Sequence, residues 1–231
     1  MSKKQLSVPL THRQFLWGYI YLAVEILVLP TALHLLLDWL FPGTTAAAVN
    51  FLYYIINFTT VWAIFGSFLK RNLGVARSHI LRTLLYILLG LFGYWAVNIV
   101  MSEVTYRLMP DFTNVNDAAI TQISRDGYLL MAIGAVLLVP TAEESLFRGL
   151  LFRGIYGKSR FGAYAVSALC FCAVHVAGYI GSYDLPLLAL CFVQYLPAGL
   201  ILAWSYEKSN TIFTPILIHT IINAVGIFAM R

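Results

Sequence analysis

Seven apolar runs occupy most of the chain, at residues 15–41, 46–69, a third closing near 101, then 128–156, 161–178, 185–206 and 211–230. A helix rising about 1.5 Å per residue needs roughly 20 apolar residues to cross a ~30 Å hydrocarbon core, and each run approaches or exceeds that length. Lipid offers no partner to a backbone N–H or C=O, so runs of this kind are helices. The expected fold class is therefore all-α, a polytopic transmembrane helical bundle of about seven to eight spans. The eighth arises if 128–156 splits, since that run is too long for one straight crossing. No A-x-A-like cleavage site follows the first run, so it is expected to remain as a helix.

With 60% hydrophobic and 11% charged residues, the chain is too apolar for a soluble domain. Its net charge of +5 follows topology and does not indicate a nucleic-acid partner. Lys3, Lys4, Arg13, Lys70, Arg71, Arg77, Arg82, Arg153, Lys158, Arg160 and Lys208 fall on one side of the alternating runs. Arg107 and Arg125 lie on the other, among Glu103, Asp111, Asp117, Asp126 and Asp184. The excess of cations on the first side assigns it, with the N-terminus, to the cytoplasm.

Residues 1–127 hold three runs and one extramembrane segment, 103–127, in which a short interfacial helix over 117–124 is expected, capped by Asn116 or Asp117. Glu25 lies inside the first run with no neighbouring motif, so hydrogen bonding within a polar bundle interior explains it better than a catalytic role, and Pro30 predicts a kink nearby. Cys170, Cys172 and Cys191 sit in apolar spans and read as packing cysteines.

The chemistry concentrates in residues 128–231. Glu143, Glu144 and Arg148 interrupt an otherwise apolar run, although a charge at mid-bilayer costs ~2.5–3.5 kcal/mol even on the forgiving insertion scales. Glu144 and Arg148 are four apart and share a helical face, so they can pair. Glu143 is turned about 100° away and stays available. Charges placed inside a span mark a functional site first, with a buried structural ion cluster as the lesser reading of these three taken alone. Two further polar pairs follow: Phe171 with His175, and His219 with Asn223, each four apart. Counted at ~1.5 Å per residue, His175 and His219 lie roughly 21 and 15 Å from the basic ends of their runs, and Glu143 roughly 24 Å from the opposite face. Kinks and tilts can bring them to one level in the inner or middle part of the bilayer. Carboxylate, imidazoles and amide together are the groups that peptide hydrolysis uses: a base for water and donors for an oxyanion.

Glu143-Glu144-x-x-x-Arg148, Phe171-x-x-x-His175 and His219-x-x-x-Asn223, in this order, resemble the three motifs of the CPBP intramembrane protease family. That family comprises type II CAAX prenyl endopeptidases and the bacteriocin-processing or bacteriocin-immunity (Abi) proteins. The resemblance covers about residues 128–228 and implies that 128–231 is a catalytic helical core. It implies an endopeptidase acting on membrane-associated peptides or proteins, with Glu143 as general base helped by His175. His219 and Asn223 would bind the oxyanion, and Glu144, Arg148 and Phe171 would hold the site. It further implies a bacterial plasma-membrane location and a role in bacteriocin or pheromone processing or self-immunity, or else a non-catalytic immunity or scaffold protein of the same fold. The cofactor is open between none and zinc; a zinc site would draw on His175, His219 and either Glu143 or Glu144.

Overall fold

The computed structural model describes residues 6–229; Lys3 and Lys4, counted above among the cytoplasmic cations, and the end of the last run lie outside the described residues. The described residues form helices and no β-strand. In order these are α1 (His12–Leu27), α2 (Leu29–Leu40), α3 (Ala46–Ser78), α4 (Ile80–Leu108), α5 (Val115–Ile133), α6 (Val139–Glu144), α7 (Arg153–Tyr156), α8 (Arg160–Val176), α9 (Leu185–Ser209) and α10 (Phe213–Ala229). Two π-helical stretches, Gly134–Leu138 and Ser145–Phe152, join α5, α6 and α7 into one bent span, Val115–Tyr156.

Five helices are long and apolar enough to cross a membrane, and six if α1 and α2 count as one broken span. The chain is a multi-pass membrane protein. Against the seven runs read from the sequence, the first is two helices meeting at 55°, and the last, α10, is a shorter apolar helix. The break is proline chemistry: Pro30, at the start of α2, cannot donate to the turn before it, and its ring crowds that turn. The run at 128–156 does not split. Upstream of it the backbone kinks at Gly127, and residues 115–126 form a helix of their own, starting two residues before the one expected over 117–124. The cap of that helix is Asn114, not Asn116 or Asp117: its side chain accepts from the backbone N–H groups of both.

Large apolar side chains of α4, such as Leu81, Leu88, Phe92 and Ile99, are exposed, as a lipid-facing helix requires. Its inner face packs on α9 and α10. One end of the bundle is tied by cations: Arg71 donates to the Pro9 carbonyl, Arg153 to the Leu6 carbonyl and the Tyr206 hydroxyl, and Arg160 to Glu207. Beneath them Phe65, Phe68, Leu146, Phe152 and Tyr206 form a closed apolar core. The three cysteines are free and pack in apolar surroundings.

Where α3 meets the bent span, Gly134 sits against the Tyr54 ring; a Cβ at this position would lie 2.3 Å from Cδ2 of that ring. Overpacking of this kind typically costs ~1–3 kcal/mol. Gly134→Ala is expected to lower the detergent-phase melting temperature by several degrees, measured by intrinsic fluorescence against Gly74→Ala, where a Cβ meets nothing.

Candidate active site

The site is assembled on the bent span. In the first π-helical stretch the Val139 N–H donates to the Gly134 carbonyl, five residues back. The same pattern would give the Ala135 carbonyl to residue 140, but that residue is Pro140 and has no N–H. The orphaned Ala135 carbonyl accepts instead from Asn223 Nδ2, at 2.8 Å. A proline thus fixes the side chain of an asparagine on α10, leaving the second amide hydrogen of Asn223 to the cavity it lines.

Glu144 and Arg148 are wholly buried and paired at 2.8 Å. The guanidinium also donates to the Gly199 carbonyl on α9, at 3.1 Å, and lies 4.5 Å from the Phe171 ring centre. Neither charge reaches solvent, so each depends on the other. The same Glu144 oxygen accepts from His219 Nδ1, at 2.9 Å. That bond fixes the imidazole with its hydrogen on Nδ1 and turns Nε2 toward Glu143, 4.0 Å from its Oε2. Two hydrogen bonds of ~2.8 Å can span this gap through one water. Glu143 Oε2 has no hydrogen-bond partner in the protein.

His175 is held in the last turn of α8 by its Nδ1–H, which donates to the Phe171 carbonyl at 2.8 Å. Its ring lies 4.4 Å from that of Tyr195 and 4.6 Å from that of Phe171. Phe171 in turn touches His219 and Phe147 edge-on, so it is the packing centre of the site.

Glu143, His175, His219 and Asn223 all line one cavity of about 470 Å³; Glu144, Arg148 and Phe171 stand behind its wall. The cavity is shared with residues at the helix ends remote from the basic end: Asn50 on α3, Asn98 on α4, Asn114, Asn116 and Asp117, and Gln194 and Tyr195 on α9. Sequence reasoning missed most of these. Tyr195 is the pivot: its hydroxyl accepts from Asn116, donates to Asp117, and is 3.3 Å from the Asn114 side-chain oxygen. A Gln-Tyr pair in an apolar run was the available signal. Glu25, read as a hydrogen-bonded interior residue, is that and also lines the cavity.

Among the described residues no three His, Cys, Asp or Glu side chains converge as a metal site requires. The Nδ1 bonds of His219 to Glu144 and of His175 to a carbonyl leave each Nε2 as the ring nitrogen facing the cavity. The zinc set left open by the sequence, His175, His219 and Glu143 or Glu144, is not among groups drawn together closely enough to ligate one ion.

Residues 125–225 match the family of type II CAAX prenyl endopeptidases, Rce1-like, which bears out the resemblance carried by the three motifs. The chain is also 30% identical over 95 residues to the UPF0177 protein YxdF of Lactococcus lactis subsp. lactis (strain IL1403), covering 41% of this chain and 47% of that protein. It thus spans about half the length of the curated relative it matches. No solved structure matches.

Removing one partner of a buried pair strands the other, at a cost of ~3–5 kcal/mol. Arg148→Ala is expected to lose that much stability in denaturant melts in detergent, and Glu144→Gln less, because the amide oxygen can still accept from both Arg148 and His219.

Proposed function

We propose, from the premise that residues 125–225 belong to the Rce1-like family of type II CAAX prenyl endopeptidases, that this protein is an intramembrane endopeptidase using water activated by Glu143. The observation that carries the reading is Glu143 itself, cavity-facing and with a free oxygen, opposite a histidine whose far nitrogen is held by an already paired carboxylate. Glu143 takes a proton from water as the water oxygen bonds to the scissile carbonyl carbon. The oxyanion that forms accepts from His219 Nε2–H, in its imidazolium form held by Glu144, and from the second amide hydrogen of Asn223. His175 presents Nε2 to the same cavity and orients the water. When the C–N bond breaks, Glu143 returns its proton to the leaving amine. No step passes through a metal.

The cavity end of the bundle is opposite the end bearing Arg71, Arg153, Lys158 and Arg160. By the positive-inside rule the cavity then opens away from the cytoplasm, and the N-terminus is cytoplasmic. The substrate is accordingly a membrane-associated peptide or protein segment offered from the extracytoplasmic side of a cell membrane, as in processing of, or immunity to, secreted peptides.

Two measurements test this reading. Removing a general base of this kind typically costs 10²–10⁴-fold in rate. Purified protein in detergent is expected to cleave members of a membrane-proteome peptide library, Glu143→Ala to lose at least ~10²-fold, and a chelator to change nothing. If Glu143→Gln kept full biological protection in cells, the non-catalytic immunity reading would replace the peptidase. For orientation, Ala119→Cys, on the cavity wall, should react with an impermeant maleimide in intact cells, in a background lacking Cys170, Cys172 and Cys191. Lys158→Cys should react only after permeabilisation; the reverse pattern inverts the topology.

A further inference from the structure

Glu25 is built into the cavity in a way that the catalytic scheme does not use. Its Oε1 is occupied twice, accepting from the Tyr53 hydroxyl at 2.9 Å and from Asn57 Nδ2 at 3.1 Å. Asn57 is itself held by the Tyr21 hydroxyl, which donates to its Oδ1. The network belongs to α1 and α3, outside residues 125–225, and fixes one carboxyl oxygen while leaving the other free. Glu25 is 8% exposed, and its Oε2 has no partner in the protein. A buried polar atom left unpaired costs ~1–3 kcal/mol, and more when charged, so the arrangement makes sense if a passing group satisfies it.

The chemistry of that group follows from the cavity wall. Glu25, Asp117 and Glu143 are its carboxylates, and among the described residues no lysine or arginine lines it. Arg148 is consumed behind the wall by Glu144 and the Gly199 carbonyl. A ligand carboxylate entering this cavity meets three acidic groups, and the His219 imidazolium of the catalytic scheme is already held by Glu144; a cationic nitrogen meets a carboxylate whose second oxygen is already anchored. Charge-assisted bonds of that kind are about twice as strong as neutral ones.

We propose that Glu25 forms a substrate subsite that accepts a basic side chain, lysine or arginine, of the peptide bound in the catalytic cavity. The assignment rests on the peptidase reading for its substrate but not for its test, which reads binding. Glu143→Gln protein in lipid nanodiscs is incubated with an N-acetylated randomised octapeptide library, and retained peptides are sequenced by mass spectrometry. Lysine and arginine are expected to be enriched about tenfold at one position, equivalent to ~1.4 kcal/mol. Adding Glu25→Gln, whose amide oxygen can still accept from Tyr53 and Asn57, removes the enrichment without moving the melting temperature. Glu25→Asp keeps the charge but withdraws it by one methylene. It gives an intermediate enrichment and serves where the glutamine variant fails to fold. Absence of basic enrichment in the parent, or enrichment equal to the parent's in either folded variant, overturns the subsite. Selective retention by a protein that never cleaves leaves the subsite standing and removes the peptidase; cleavage without basic preference does the reverse.

Discussion

The pairing of Glu144 with Arg148 inside the bundle is the interaction on which the rest depends. Neither residue has any exposed surface, and the desolvation of two charges is offset only by close pairing together with further hydrogen bonds. Arg148 meets that demand by reaching the Gly199 carbonyl on α9 and the Phe171 ring on α8, and Glu144 by accepting from His219 on α10. Four successive elements therefore close on one ion pair. Gly199 lets α9 approach α8 closely enough for this, since a Cβ there would lie 3.1 Å from the Ala168 backbone. The pair is structural in its energetics and chemical in its consequence, because it settles which histidine nitrogen faces the cavity.

Irregular backbone supplies the second requirement. A straight α-helix over 128–156 would spend every carbonyl on its own ladder and offer nothing to α10. The π-helical stretch before Pro140 frees the Ala135 carbonyl for Asn223, and within the second stretch the Phe147 carbonyl accepts from Ser167 on α8. Carbonyls released at mid-membrane cannot turn to water, so neighbouring helices must satisfy them. In doing so they tie α8 and α10 to the bent span at the level of the glutamates.

Much of this was legible. Periodicity alone put Glu144 with Arg148 and turned Glu143 away, and spacing of four aligned Phe171 with His175 and His219 with Asn223. The helical class followed from run lengths. What could not be read were features that depend on three-dimensional approach: the level at which the polar residues meet, the role of Tyr195, and the depth of Asn57 and Tyr53 on α3. A tyrosine in an apolar run looks the same whether it anchors at an interface or spans a cavity, and nothing in the sequence says that the Ala135 carbonyl is the one left for Asn223. The count of crossings was blurred for a related reason, since Pro30 breaks the first run into two pieces, neither of which spans alone.

The buried carboxylates of the molecule divide into two kinds. Glu207, at the basic end, is saturated by Arg160, Tyr156 and Tyr164. Glu144, behind the cavity wall, has Arg148 and His219, both on Oε1, and its Oε2 has no partner in the protein. Glu25 and Glu143, at the cavity, each keep one oxygen unpartnered, and the nearest fixed donors are neutral hydroxyls and amides or a histidine at 4.0 Å. A membrane interior penalises an idle carboxylate more severely than an aqueous protein surface does. A bonded cation or imidazole therefore marks the carboxylates that hold the bundle together, Glu207 and Glu144, while Glu25 and Glu143 line the cavity with a free oxygen and no bonded cation, as groups whose partner arrives from outside would. On that division, α1 and α3 take part in the chemistry of the cavity rather than merely walling it.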